Sequence, residues 1–73
     1  MINYNNLWEI MKLRNFSKTE LRKATNMSTS TFAKLSKNEF VSLDILIRLC
    51  EVLQCQISDI CQVENFEERE KKD

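Results

Sequence analysis

The side chains best suited to chemistry in this chain are eleven carboxylates, eleven Lys or Arg side chains and three thiols, and the 73 residues include no histidine. Histidine is the commonest general base and metal ligand, so its absence argues against a Ser-His-Asp triad and a Cys2His2 zinc site. A cysteine nucleophile would lack the base that activates it. Asp44 and Glu51 flank Arg48 on one helix face, which is typical of solvated surface charge. We therefore expect a protein that is not an enzyme, with no catalytic residues, no metal and no cofactor.

The three cysteines do not follow the pattern of a bonded or metal-binding site. Cys50, Cys55 and Cys61 are separated by four and five residues, an odd count without a Cys-x-x-Cys pair. This spacing indicates neither a disulfide framework nor a zinc knuckle. We expect Cys50 and Cys61 to be small buried hydrophobic residues and Cys55 to lie in a loop, as free thiols in a reducing compartment.

The composition of the first thirteen residues does not predict a targeting or membrane-spanning segment. Glu9 and Lys12 interrupt the apolar residues between Met1 and Leu13, so neither the apolar run of a signal peptide nor that of a membrane helix is present. Together with the free thiols, this predicts a cytoplasmic protein that does not contact membranes. No feature of the sequence indicates a small-molecule ligand.

The cations are concentrated in one part of the chain, although the formal net charge is zero. Residues 12–37 contain seven Lys or Arg side chains and one carboxylate, that of Glu20. Residues 38–60 contain one cation and four carboxylates, and residues 61–73 contain three cations and five carboxylates. Attraction to phosphates depends on where the charge lies and not on its total. The block at 12–37 is therefore a candidate nucleic-acid surface.

The elements that position these cations are predicted to be helices with similar starts. Ser17 and Glu20 can form a capping box, with apolar residues placed to contact each other across it. Ser28 and Ser42 are preceded and followed by apolar residues in the same way. Helices are therefore predicted to begin near residues 18, 29 and 43.

The remaining elements follow from weaker signals. Apolar spacing predicts a first helix over about 5–15, capped by Asn5 or Asn6, and a short last helix over about 58–62 after a Ser58 cap. The chain has no Gly or Pro, and no segment alternates with period two over a useful length, so strands are not expected.

The helix from Leu43 to Leu53 is the most apolar and is expected to be central. Eight of its residues are apolar and cover most of its circumference at ~100° per residue. The core would be completed by apolar residues of the other helices: Trp8, Leu21, Phe32, Leu35, Ile57 and Ile60. After Val63 the chain becomes almost wholly polar. We therefore expect one domain over 1–63 and a charged tail over 64–73.

The segment between the predicted second and third helices is short, Thr25-Asn26-Met27-Ser28. Two short helices joined by three or four residues form a helix-turn-helix. The turn needs a residue with positive φ, and Asn26 is the best choice after glycine. The stretch KTELRKATNMSTSTFAKLSKNEFVSLDILIRLCEVLQCQISDI resembles the Cro and phage-repressor type helix-turn-helix family, and the resemblance covers about residues 4–62.

That resemblance implies an all-α, five-helix, lambda-repressor-like DNA-binding domain. Its helix-turn-helix would be formed by helices 2 and 3, and helix 3 would lie in the major groove of double-stranded DNA. By position, the residues that would read bases are Thr29, Ser30, Ala33 and Lys34. Those that would bind phosphates are Lys18, Thr19, Thr31, Lys37 and Asn38. 

The periodicity of the third helix agrees with this implication. Advancing ~100° per residue places Thr29, Ser30, Ala33, Lys34 and Lys37 in one sector of the helix. The side chains of this face are small, polar or cationic, and none is a carboxylate. The face can therefore approach base edges in the major groove.

The chain departs from the family pattern at three positions. Arg22 stands where a small residue is usual, and we expect its stem to lie along the surface with the guanidinium outward. Ser36 and Met11 stand where many members carry a Glu and an Arg that pair with each other. Because both partners are replaced, the loss is matched and should not unfold the domain.

Two functions of different kinds remain open. The first is a sequence-specific DNA-binding regulator of transcription, a repressor that acts as a homodimer on a two-fold site. Its dimer contacts would come from the last helices or the tail, with Ile57, Ile60, Val63 and Phe66 as candidates. The alternative is a protein-interaction or antitoxin-like accessory module on the same scaffold, without specific DNA readout. A steep dependence of DNA affinity on salt would distinguish the first from the second.

Overall fold

The computed structural model describes residues 1–64. This part of the chain forms five helices and a two-stranded sheet, and the elements in order are β1 (Ile2–Asn3), α1 (Asn5–Leu13), α2 (Lys18–Ala24), α3 (Thr29–Ser36), α4 (Leu43–Leu53), α5 (Ile57–Ile60) and β2 (Gln62–Val63). The mostly helical class and the three predicted helix starts at 18, 29 and 43 are confirmed. None of the helices described is long and apolar enough to cross a membrane.

Serine caps begin the three helices whose starts were predicted. Ser17 Oγ accepts from the Glu20 backbone N–H at 3.1 Å, and Glu20 Oε1 accepts from the Ser17 N–H at 2.8 Å, which completes the capping box. Ser28 and Ser42 each accept from the N–H three residues later. Each cap satisfies a donor that the first helical turn would otherwise leave unpaired.

The predicted caps of the first and last helices were wrong. Tyr4 is the N-cap of α1 and makes no side-chain cap bond; instead Asn3 Oδ1 accepts from the Asn5 N–H at 3.1 Å. The last helix starts at Ile57, earlier than expected, and Asp59 Oδ2 accepts from the Gln56 N–H at 2.9 Å. A carboxylate on the third residue of the helix therefore marks this start, and the serine inside the helix does not.

A short sheet joins the two ends of the described chain, where no strand was expected. Ile2 pairs with Val63 and Asn3 with Gln62 in antiparallel register. The Glu64 N–H donates to the Met1 carbonyl at 2.9 Å and extends the pairing, so Glu64 is attached to the domain. Two residues per strand are too few to show alternation in the sequence. The rest of the predicted tail, residues 65–73, lies outside the described residues.

The core is built around α4, as predicted. Its residues Leu46, Leu49 and Leu53 are buried. Six side chains from the other elements are fully buried or nearly so: Tyr4, Leu7, Leu21, Met27, Leu35 and Ile60. Trp8 and Ile57 pack against this core but are only half-buried. Leu43 and Ile47 of α4 are 61% and 42% exposed, so the apolar arc of the helix is wider than the surface its own domain covers.

Four helices end in the left-handed backbone conformation without a glycine. Asn15, Asn26, Asn38 and Gln54 have φ of 63°, 55°, 57° and 55°. The sequence had indicated one such turn, at Asn26, and that turn is confirmed. After each helix the N–H following the left-handed residue donates back to a carbonyl in the last turn, for example Cys55 to Cys50 at 3.0 Å. This is the Schellman arrangement, which satisfies carbonyls that the helix end leaves free.

We expect Gln54→Gly to raise the free energy of unfolding by about 1 kcal/mol, because a side chain in the left-handed region clashes with the backbone and glycine does not. Gln54→Ala is the matched control and should bring no such gain. Urea denaturation of the three proteins measures the effect. Equal stability of the Gly and Ala variants would contradict the assignment of strain to this residue.

Candidate nucleic-acid interface

The turn between α2 and α3 is fixed by hydrogen bonds from its residues to the end of α2. Asn26 supplies the left-handed conformation, and the Met27 N–H donates to the Arg22 carbonyl at 3.1 Å. Thr25 is buried, and its Oγ1 donates to the Leu21 carbonyl at 2.8 Å. Met27 is buried as well. Hydrogen bonds to α2 and the burial of Met27 in the core therefore both fix the turn.

Two arginines reinforce the turn from opposite sides. Arg22 Nη1 donates to the Met27 carbonyl at 3.2 Å, and the residue is half-buried. The expectation of an outward-pointing guanidinium was therefore wrong. Arg48 on α4 donates to the carbonyls of Thr25 and Asn26 at 3.3 and 3.4 Å, and pairs with Asp44 at 2.8 Å. These bonds fix α2 and α3 relative to each other and to the central helix.

The third helix has one exposed face and one buried face, in the division that the periodicity predicted. Phe32 and Leu35 are buried. The residues predicted to read bases, together with one predicted to bind phosphate, are all exposed: Thr29, Ser30, Ala33, Lys34 and Lys37. This face carries two ammonium groups, small side chains and no carboxylate. Its roles in reading bases and binding phosphate stay predictions.

Two hydroxyls near the start of α3 are linked to the cap of that helix. Ser28 Oγ lies 3.0 Å from Thr31 Oγ1, to which it donates, and 3.3 Å from Ser30 Oγ. Thr31 is half-buried, whereas Ser30 is exposed. A hydroxyl has one donor and two acceptor sites, so both can still bond to an outside group. Their contacts with the capping hydroxyl of Ser28 limit the directions in which the Ser30 and Thr31 hydroxyls can bond to such a group.

The start of α2 and the start of α3 border the same surface depression, of about 240 Å³. Lys18 and Thr19, predicted to bind phosphate, lie on one side of it, and Thr29 and Ala33, predicted to read bases, lie on the other. The fold thus brings together two sets of residues that are about ten positions apart in sequence. Lys37 follows the last residue of α3, so it lies at the opposite end of that helix.

A cation–π contact positions the ammonium of Lys18. Its Nζ lies 4.6 Å from the centre of the Trp8 ring, and Trp8 meets Phe32 edge to face with ring centres 5.7 Å apart. Such a contact is worth about 0.5–1 kcal/mol at an exposed site. Sequence reasoning assigned Trp8 to the core alone. The contact joins residues of two helices ten positions apart, and no local spacing signals it.

Asn38, predicted to bind phosphate, also holds the segment after α3. Its Oδ1 accepts from the Tyr4 backbone N–H at 3.2 Å, and Tyr4 OH donates to the Glu39 carbonyl at 2.7 Å. Burial raises the pKa of the Tyr4 hydroxyl, with charge repulsion from Cys61 as a smaller cause, so the hydroxyl stays a donor. Since Oδ1 is engaged, the amide nitrogen is the end of Asn38 suited to a phosphate oxygen.

Met11 and Ser36 replace the ion pair that many members of the family carry. Met11 packs in the core at 5% exposure, and Ser36 is exposed at the end of α3. The missing ion pair is therefore replaced on one side by apolar packing. Within residues 1–64, no group of three or more Cys, Asp or Glu side chains is arranged to hold a metal ion.

Comparison with known proteins gives a consistent result. A family model described as Cro/C1-type HTH DNA-binding domain matches residues 6–65. Among solved structures, the chain is similar to the crystal structure of transcriptional regulator VanUg, with a TM-score of 0.81 and 49% sequence identity. The match covers 84% of this chain and 81% of that one. No curated protein matches the chain.

We expect Ser28→Ala to lower the free energy of unfolding by about 1 kcal/mol, because the first turn of α3 loses its cap. Ser28→Asn should keep most of the stability, since asparagine caps about as well as serine. Ser36→Ala, at the last residue of the same helix, is the matched control and should change little. Urea denaturation measures all three. If Ser28→Asn were as destabilised as Ser28→Ala, the cap would not be the cause.

Proposed function

The chain belongs to the Cro/C1-type HTH DNA-binding domain family, and from this premise we propose that it is a sequence-specific regulator of transcription that reads double-stranded DNA with α3. The observation that carries the proposal is the exposed face of α3, which combines small polar side chains with Lys34 and Lys37. Helices with such a face enter the major groove, where each base pair presents a distinct pattern of donors and acceptors.

The side chains of the interface divide into base-reading and phosphate-binding groups. Thr29, Ser30 and Ala33 are short enough to let the helix approach base edges, and their hydroxyl and methyl groups suit donors, acceptors and thymine methyls. Lys34 is long enough to donate to the O6 and N7 atoms of a guanine. The specificity of the protein would therefore depend on the first six residues of α3, from Thr29 to Lys34.

Phosphate contacts would flank this helix. Lys18 and Thr19 border the depression next to Thr29, and Lys37 and Asn38 follow the end of α3. Thr31 is the least accessible of the predicted phosphate ligands, since it is half-buried. Contacts at both ends of α3 would fix the register of the helix on the duplex without reading sequence.

The mode of action that follows is occupation of an operator. We propose that the protein is a repressor, because the surfaces described support tight placement on DNA and a bound domain excludes other proteins from the same groove. It would act as a binding protein and not as an enzyme. We propose that it acts in the cytoplasm, since three free thiols suit a reducing compartment.

We further propose that it binds as a homodimer, because one module of this size makes a modest contact with DNA and a two-fold site doubles it. Leu43 and Ile47 lie one turn apart on α4 and are 61% and 42% exposed. Of the contacts expected from sequence, Ile60 is fully buried in its own domain and is excluded. Ile57 is half-buried, Val63 is exposed in β2, and Phe66 lies outside the described residues.

The DNA-binding proposal is tested by selecting bound duplexes from a random pool and measuring affinity for the enriched sequence as salt is varied. We expect Lys37→Ala to weaken binding to all duplexes and to reduce the slope of log affinity against log salt by about 1. Lys34→Ala should cost about 1–3 kcal/mol on the selected sequence and relax the preference at one base pair.

Lys23→Ala is the matched control, since this exposed lysine of α2 does not border the depression. It should change affinity less than either variant above. Failure to enrich any sequence, or a double Lys34→Ala, Lys37→Ala variant that binds duplexes normally, would overturn the proposal. In that case an interaction module that binds proteins would be the better explanation of the scaffold.

The dimer proposal is tested with Leu43→Glu combined with Ile47→Glu, which places charge in the proposed contact. We expect the variant to sediment as a monomer at a concentration where the unchanged protein is a dimer, because burying two unpaired carboxylates is costly. Leu13→Glu is the control, since Leu13 of α1 is 73% exposed and lies on another helix. A control that dissociates as readily would show that the contact is elsewhere.

A further inference from the structure

The C-terminal end of α4 places two cysteines at the paired positions of a Schellman cap. The Cys55 N–H donates to the Cys50 carbonyl at 3.0 Å, and Gln54 between them has φ of 55°. In this motif the side chains at these two positions commonly contact each other, since the chain reverses between them. The two thiols therefore lie on the same side of the reversal.

The same positions at the other caps are occupied differently. The N–H of Phe16 donates to Met11, that of Met27 to Arg22, and that of Glu39 to Lys34. The first pair combines two apolar side chains, the second an apolar with a cationic one, and the third an anionic with a cationic one. Among the caps described, the one after α4 is thus distinguished by two side chains that can form a covalent bond with each other.

The thiols of Cys50 and Cys55 influence each other's ionisation, as expected for two side chains at the paired positions of one cap. Burial, followed by charge repulsion from Cys55 and a hydrogen bond to Cys55, raises the pKa of Cys50 to about 11. Burial also raises the pKa of Cys55, but there the hydrogen bond to Cys50 lowers it. The interaction with Cys50 thus lowers the pKa of Cys55 while the interaction with Cys55 raises that of Cys50, so Cys55 is the thiol better placed to ionise first.

Both thiols are accessible to a small reagent. They are half-buried and line one open groove of about 500 Å³ between the end of α4 and the start of α5. Ile47 and Ile57 form apolar parts of its wall, and Gln54 and Gln56 supply amide groups. A groove of this size can admit a molecule as large as a small peptide disulfide.

We propose that Cys50 and Cys55 form a reversible dithiol–disulfide site that exchanges with low-molecular-weight disulfides such as oxidised glutathione. The Cys55 thiolate attacks one sulfur of the reagent, which releases one glutathione thiolate and leaves a mixed disulfide on Cys55. Cys50 then loses its proton to solvent and attacks the Cys55 sulfur, which releases the second glutathione. The two protein thiols are oxidised by two electrons, and the reagent is reduced to two thiols.

The third cysteine is not part of this site. Cys61 Sγ donates to the Ile57 carbonyl at 3.5 Å, within the turn of α5, and the residue is half-buried. It also lies outside the lining of the groove. Cys61 therefore supplies a built-in control, a thiol of the same domain that should remain reduced.

The exchange should accelerate as the pH rises, because only the thiolate attacks and burial raises the pKa of both thiols. The charged and titratable groups that face the pair act in both directions. Asp59 opposes ionisation of both thiols, and Cys61 opposes that of Cys50, whereas Arg14 favours ionisation of Cys55. A rate that fell between pH 7 and pH 9 would contradict a thiolate mechanism.

The test is to incubate the full chain with oxidised glutathione and to count free thiols after denaturation. We expect the loss of two of the three thiols. A glutamate-specific protease cleaves after Glu51 and separates Cys50 from Cys55, so the two fragments should stay joined until a reductant is added. Cys61→Ser should behave like the unchanged protein, whereas Cys50→Ser and Cys55→Ser should lose the linkage.

Three results would overturn the proposal. One is a linkage that includes Cys61, which fragment sequencing by mass spectrometry detects. Another is a disulfide between two chains, seen as a dimer on a non-reducing gel. The last is retention of all three thiols by the folded chain under conditions that oxidise the urea-unfolded chain. Because the readout is a covalent bond, it does not depend on DNA binding or on the proposed dimer.

Discussion

The left-handed backbone of Asn26 is the constraint on which the proposed DNA-facing surface depends. A helix-turn-helix needs its two helices to cross at a fixed angle, and the chain can reverse within so few residues only if one of them adopts positive φ. Asn26 does so at 55°, and the bonds of Met27 and Thr25 to α2 close the reversal. Every position on α3 is set by that turn, since α3 begins only three residues after it.

The chain has no glycine, so Asn or Gln residues adopt the left-handed conformation after four of the helices described. Arginines donate to backbone carbonyls near these helix ends. Carbonyl oxygens at these helix ends can accept a further hydrogen bond. Planar guanidinium groups with several donors suit such sites better than ammonium groups. Arg14 Nε donates to the Leu53 carbonyl at 3.0 Å, and Arg22 and Arg48 donate to carbonyls of the α2–α3 turn. The five lysines among residues 1–64 are exposed. Arg14, Arg22 and Arg48 thus stabilise the scaffold while still adding to its positive potential, and the exposed lysines are left for the proposed DNA contacts.

The parts of the fold that could be predicted are those encoded within a few residues. Serine caps fixed the starts of three helices, and a period of 3.6 residues separated the exposed and buried faces of α3. The ends were harder, because Asn15, Asn38 and Gln54 resemble ordinary polar residues in sequence. Likewise the contact of Lys18 with Trp8 joins separate helices and has no local signal. The exposure of Leu43 was missed because periodicity shows which face is apolar but not what covers it.

The third helix is held at both ends by groups that do not belong to its exposed face. Ser28 caps its start, beside a turn fixed by Arg48, and Tyr4 bonds to the segment that follows its end. These attachments reach α4 and the start of α1, and both of these contribute buried residues to the core. A helix fixed in this way has little freedom to lose on binding DNA, so more of the contact energy appears as affinity. The small side chains that face outward need the same rigidity, because their short reach tolerates little error in where the helix lies.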